Sequence, residues 1–149
     1  HGTESYLIAD RVAAAGVPVL YGPMIVSRSK VEVRHRTAKA PGILAGAGVK
    51  VSLITDHPVV PIEFLIHQAA LAVKHGMDPA EALRSITINP AEVLGLGERL
   101  GTLEVGKDAD LVLWDGDPLD TRHRAQRVWQ AGREVMHLDA EGEPVIAAR

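Results

Sequence analysis

The sequence predicts an α/β fold that gives way to an all-β tail. Two short runs, Val17–Tyr21 and Val49–Thr55, are apolar on both faces, the pattern of parallel strands buried on both sides. Each is flanked by stretches whose apolar residues recur at helical spacing. After Gly97 that alternation stops, and short strand-like runs separated by turn residues take over. The expected organisation is αβ units over residues 1–96 and a small β unit over residues 97–149.

Glu4–Ala15 reads as an amphipathic helix with Leu7, Ile8, Ala14 and Ala15 at helical spacing, closed by Gly16. The first strand follows and ends at Gly22-Pro23. Residues 24–36 are polar, mixed in charge and weakly patterned, which reads either as a functional loop at a strand exit or as a solvated insertion. A short helix over Lys39–Ala47 leads into the second strand, which ends in Thr55-Asp56-His57-Pro58. From about Pro61 to His75 a longer helix carries an apolar stripe that includes Leu65, Ala69 and Ala72, and Gly76 stops it.

Two compact helix starts come next. Asp78-Pro79-Ala80-Glu81 and Asn89-Pro90-Ala91-Glu92 share an Asx cap, a Pro at the first helical position and a Glu placed to reach back. In the tail, Leu103–Val105, Asp110–Trp114, Arg127–Gln130 and Glu134–His137 read as strands. Gly106-Lys107-Asp108 provides a turn, and Ala131-Gly132 closes a tight hairpin.

Composition narrows the function. At 149 residues the chain can bury a real core, yet it falls short of the roughly 250 residues of a closed eight-stranded α/β barrel. A formal net charge of −3 leaves no basic footprint for nucleic acid or anionic lipid. With no cysteine, disulfide scaffolds and thiolate metal sites are excluded, and His and carboxylates are the remaining ligands. No run is long and apolar enough to span a bilayer and no signal peptide opens the chain, so the expected location is cytoplasmic. The start at His1-Gly2-Thr3, without an initiator Met, reads as a piece of a larger protein.

Asp56 is the first chemical candidate. It stands at the carboxyl end of a buried parallel strand, where α/β barrels present catalytic groups, and an acid there can bind a metal or deprotonate a metal-bound water. The competing reading is a helix N-cap, but the next helix starts near Pro61, too far along for simple capping. His57 follows and cannot share the direction of Asp56 unless the backbone turns, which makes it a substrate-side or packing residue. His1 precedes a helix and is a candidate imidazole ligand only within a wider frame. The histidines at 35, 67, 75, 123 and 137 form no paired metal motif. Among them His67 reads as a partly buried structural residue, and His75 suits the negative end of a helix dipole. In the loop over residues 24–36, Arg28, Arg34, His35 and Arg36 are placed to meet an anionic substrate or to be solvated.

Three segments go further than spacing. His1-Gly2-Thr3-Glu4 with its helix and Gly16-Val17-Pro18-Val19 comes first, and Thr55-Asp56-His57-Pro58 second. The third is Ser85-Ile86-Thr87-Ile88-Asn89-Pro90-Ala91 followed by the run from Leu100-Gly101-Thr102 to Asp110-Leu111-Val112. In that order they resemble the sixth strand-end, the eighth strand-end and the C-terminal passage of metal-dependent amidohydrolases, above all the imidazolonepropionase-related ones.

The resemblance covers essentially the whole chain. It implies the C-terminal portion of a TIM-type (β/α)8 barrel followed by short strands of a composite β-sandwich. It implies that Asp56 ligates the catalytic metal and acts as general base, that His1 is a metal ligand in binuclear members and otherwise lies near the substrate, and that His57 holds the adjoining position, where the family's role is less uniform. The activity implied is hydrolysis of an amide, lactam or related C–N bond by metal-activated water. Zn is the first expectation for the metal, with Fe and Mn also suited to N/O ligands.

The family's first-strand His-x-His and its fourth- and fifth-strand ligands have no counterparts here. The parent protein is therefore expected to be a hydrolase of a small-molecule substrate, and this piece alone inactive. Unpaired parallel edges are expected to promote self-association or a rearranged, compact α/β packing. The rival from another class is a non-catalytic α/β binding or scaffold module in which Asp56 is a capping or loop acid. A second rival enzyme, with Asp56 as nucleophile or phosphate acceptor, lacks the strands and the lysine partner it needs.

Overall fold

The computed structural model describes residues 2–27 and 30–147. His1 and Arg28, both named above, lie outside the described residues. In chain order the elements are a 3-10 turn Ser5–Ile8, α1 Ala9–Ala14, β1 Val19–Tyr21, a 3-10 turn Val31–Val33, α2 Ala40–Gly46 and β2 Val51–Leu53. A 3-10 turn Ile62–Phe64 then leads into α3 Leu65–Lys74, α4 Pro79–Arg84 and α5 Ile88–Val93. The chain ends with β3 Leu111–Trp114, β4 Ala125–Gln130, β5 Arg133–Leu138 and β6 Pro144–Ile146. No helix among the described residues is long and apolar enough to cross a membrane.

β1 and β2 pair in parallel, Val19 opposite Val51 and Tyr21 opposite Leu53, with α2 on the crossover between them. β2 is buried on both faces, as the sequence predicts, whereas β1 is buried on one face only: Val19 and Tyr21 turn inward and Leu20 is exposed. Tyr21, Val51, Ser52 and Leu53 are all buried, and α2 and α3 pack Leu44, Ala69 and Ala72 against them. Small aliphatic residues let these layers approach closely. The outer edges of the pair are partly capped without further strands. Gly2 N donates to Leu20 O at 2.9 Å, Leu53 N donates to Ser85 O at 2.9 Å, and Asn89 Nδ2 donates to Val51 O at 2.8 Å.

The two helix starts that look alike in sequence differ in structure. Asp78 caps α4 as predicted, its Oδ1 accepting from Ala80 N at 2.9 Å and Glu81 N at 3.1 Å. Asn89 does not cap. α5 begins two residues earlier than that cap implies, at Ile88, and places Asn89 inside its first turn, where the side chain is committed to the Val51 carbonyl. A buried carbonyl needs a donor, and that demand outranks a cap that water can replace. The predicted first helix is likewise divided, a 3-10 turn leading into α1. His67 is exposed rather than partly buried, because it sits on the outer side of α3 with its ring 5.4 Å from that of Phe64.

The last four strands form an antiparallel meander in the order β3-β4-β5-β6. The β4–β5 hairpin turns at Ala131 (φ 49°) and Gly132 (φ 77°), both left-handed, as a two-residue turn matched to strand twist requires. Two expectations need correction here. Leu103–Val105 is no strand; it lies exposed beside a turn held by Lys107, whose Nζ donates to Gly97 O and Thr102 Oγ1 at 2.7 and 2.6 Å. β6 has no counterpart in the sequence reading, since three residues opening on a proline give too short a pattern.

Candidate active site at the strand exits

β1 and β2 run in parallel, so they end on the same side of the fold, and the chain turns sharply at both ends. At the first exit Gly22 has φ +143°, and a Cβ there would lie 2.1 Å from the Ile54 carbonyl oxygen. Only glycine lets the two exits approach this closely. At the second exit Asp56 adopts φ 56°, a left-handed conformation uncommon outside glycine and better tolerated by Asp than by most residues. Its carbonyl accepts from Val59 N at 2.8 Å, and Val60 N donates to Thr55 O at 3.3 Å, which closes a turn around His57 and Pro58.

The turn settles where the predicted residues go. Asp56 lines a cleft of about 630 Å³ together with Thr3, Glu4, Lys30, Arg36 and Val59. It is not a helix cap: the following 3-10 turn begins after Pro61 and has no side-chain cap. The capping form of the rival reading therefore loses its footing. His57 is exposed, and it is absent from the described residues that line the cleft. The left-handed step at Asp56 separates the two neighbours.

Two residues organise the cleft that the sequence did not single out for that role. Gln68 on α3 is fully buried; its Oε1 accepts from Met24 N at 2.6 Å and its Nε2 donates to Ile54 O at 2.8 Å. One amide thus ties the loop after β1 to the end of β2. The signal lay in the stripe itself, since Gln68 stands between Leu65 and Ala72 on the face that packs inward, and an amide buried there must find partners. Arg36 is 9% exposed, with its Nη2 donating to the carbonyls of Val26 and Ser27. Of the loop residues expected to meet an anion, Arg34 and His35 instead bond one another at 2.8 Å on the surface. Tyr21 Oη donates to Thr37 O at 2.8 Å; burial pushes this phenol up, while that bond and the Arg36 charge pull part of the way back.

A catalytic Zn site takes about three protein ligands plus water. Among the described residues no group of three or more His, Cys, Asp or Glu side chains is gathered to hold a metal. Asp56 suits one ligand position; the described residues do not complete a site by themselves.

Comparison with known proteins aligns this chain with part of longer ones. An amidohydrolase from Thermotoga maritima superposes with a TM-score of 0.88 at 42% identity, covering 92% of this chain and 36% of that one. A zinc-bound adenosine deaminase from Xanthomonas campestris gives 0.65 at 27% identity, covering 91% and 36%. The imidazolonepropionase of Thermoplasma volcanium is 46% identical over 79 residues, 50% of this chain and 19% of that protein. The amidohydrolase tasK of Hapsidospora irregularis is 36% identical over 103 residues, 69% of this chain and 10% of that protein. The chain therefore spans a fifth or less of these two curated relatives. Matched to the family over residues 1–142, this chain belongs to the Amidohydrolase family.

Proposed function

We propose that residues 1–96 are the closing αβ units of an amidohydrolase barrel and residues 97–149 part of a composite β-sandwich. The parent is a cytoplasmic, metal-dependent hydrolase that cleaves the C–N bond of a small amide or cyclic amide. One observation carries the reading: a carboxylate, Asp56, held in a left-handed turn at the carboxyl end of a buried parallel strand, on the wall of a cleft. A divalent ion, Zn first and Fe or Mn as alternatives, supplies Lewis acidity and acidifies bound water in such a site.

In this reading Asp56 ligates through its carboxylate and accepts the proton of the attacking water. His1 is a second ligand and His57 lies on the substrate side. The remaining ligands come from the rest of the parent polypeptide, so the 149-residue chain alone is inactive. The chain alone also self-associates through the open edges of its parallel strands; a monodisperse monomer in sedimentation overturns that part.

The decisive experiment assays the metal-loaded parent, its Asp56→Ala variant and the isolated chain on a panel of amides and lactams with added Zn, Mn or Fe. The parent turns over, Asp56→Ala lowers kcat by about 10³-fold or more, and the isolated chain shows no turnover. Robust hydrolysis by the isolated chain, or an Asp56→Ala parent of unchanged rate, overturns the assignment.

A further inference from the structure

We propose that Asn89 is a positioning residue of the candidate site: its side-chain amide holds β2 along its axis and so fixes how far Asp56 stands out into the cleft. The inference deepens the reading of that cleft as the site of hydrolysis and rests on it.

Three observations support it. The first is the way β2 is held. Toward β1 it has a ladder of three residue pairs, extended by Val19 N donating to Lys50 O at 2.9 Å and Ile54 N donating to Tyr21 O at 3.0 Å. That ladder is shorter than an ordinary strand of about five or six residues. Among the described residues no strand pairs with the other edge of β2. There the turn between α4 and α5 stands in, with Ser85 O accepting from Leu53 N and Asn89 Nδ2 donating to Val51 O. One of the two bonds on that edge therefore comes from a side chain.

The second observation is what this bond displaces. An Asx residue ahead of Pro-Ala-Glu ordinarily caps a helix, yet α5 starts at Ile88 with no side-chain cap, behind Thr87 at φ −127° and ψ −91°. Asn89 is instead buried against a strand whose Val51 is 1% exposed. Water can serve an open helix end but cannot reach that carbonyl.

The third is the path from Val51 to Asp56. Ser52, Leu53 and Thr55 are buried, and Ile54 O accepts from Gln68 Nε2. Asp56 ends the path at φ 56°, with its carbonyl accepting from Val59 N at 2.8 Å. An extended strand has little length to give, so a slide at Val51 arrives at Asp56. A slip of one residue would move the acid by about 3.3 Å and turn it to the opposite face. Gln68 ties the two exits to each other, while Asn89 sets the advance of β2 itself.

The test uses the full-length parent with Asn89→Ala, Asn89→Asp and Asp78→Ala. Asn89→Asp keeps the shape and faces the Val51 carbonyl with an acceptor. Asp78→Ala removes the α4 cap, whose bonds stay within α4, and so measures a purely structural loss on the same segment. Amide hydrogen exchange resolved at Val59, which bonds the Asp56 carbonyl, needs no substrate. It is expected to speed up about tenfold or more in Asn89→Ala and further in Asn89→Asp, and to stay within about twofold in Asp78→Ala. On the amide or lactam that the parent hydrolyses fastest, the Asn89 variants are expected to lose about 10–100-fold in kcat with KM changed less than about threefold. Asp78→Ala keeps both constants.

If Asn89→Asp does not fold, Asn89→Ala decides. Unchanged exchange at Val59 in Asn89→Ala, an equal change in Asp78→Ala, or a loss confined to KM overturns the proposal. An Asp56→Asn parent that hydrolyses normally sinks the catalytic reading of Asp56, and exchange at Val59 still judges whether Asn89 places that residue.

Discussion

The stretch up to Ala91 and the stretch after Gly97 are built on different principles. Every buried residue among those described lies between Ala9 and Ala91. From Gly97 to Ala147 none is buried, although Leu119 packs against the core from outside. The first region is held by packing around the parallel pair. The second is held by its ladder and by polar contacts such as those of Asp115, whose Oδ1 accepts from Arg124 N at 2.9 Å and whose Oδ2 accepts from Gln126 Nε2 at 3.1 Å. The Arg124 amide and His123 hold that carboxyl below the usual carboxylate range. A thin antiparallel sheet whose described residues are half-buried at most is marginal in water, so disruption should be costly in the first region and cheap in the second.

A pair of glycine substitutions tests this contrast most strongly. Gly22→Ala puts a methyl 2.1 Å from the Ile54 carbonyl oxygen at φ +143°, and is expected to cost about 4 kcal/mol or to prevent folding. Gly132→Ala, at φ +77°, meets only Ala109 Cβ at 3.9 Å and is expected to cost about 1–2 kcal/mol through backbone strain alone. Thermal unfolding of the two variants side by side checks the difference, and equal losses would remove the contrast between the regions.

Gln68→Leu comes next. It leaves Met24 N and Ile54 O without their partner, and about 2–4 kcal/mol is expected from denaturant midpoints. In the parent the same change should lower kcat/KM, because both strand exits lose their common tie. A stable variant with intact activity contradicts the positioning role.

The smallest effect is a pH dependence centred on Tyr21. Its folded pKa is raised by burial, so its contribution to stability is fully present below the ordinary phenol pKa of about 10 and is lost as pH rises through the higher folded value. Wild-type urea midpoints should therefore fall above about pH 10. Tyr21→Phe is expected to flatten that limb while costing about 0.5–1.5 kcal/mol at neutral pH through the lost bond to Thr37 O. Parallel curves for the two proteins would show that the alkaline loss arises elsewhere.

Features specified over a few residues were legible in the sequence: the parallel strands, the Asp78 cap and the Ala131-Gly132 hairpin. Asp56 was legible by position, since a strand's exit is defined by the strand. The inward position of Gln68 could be read from its stripe, but the partners of Gln68 and Asn89 could not, because they lie 44 and 38 residues away and no local pattern encodes them. Leu103–Val105 has the composition of a strand, but strand formation needs a neighbour, and none of the four paired strands reaches it. Arg36 was visible as one of several loop cations; its burial depends on where Val26 and Ser27 place their carbonyls.

The clasp formed by Gln68 also limits motion. One of its hydrogen bonds ends on the segment that leads to Arg36, and the other ends two residues before Asp56. The two strand exits are thereby joined through one buried amide, so a shift of either exit relative to the other must break a hydrogen bond of Gln68. Gln68 thus works as a spacer between the start of the loop after β1 and the end of β2.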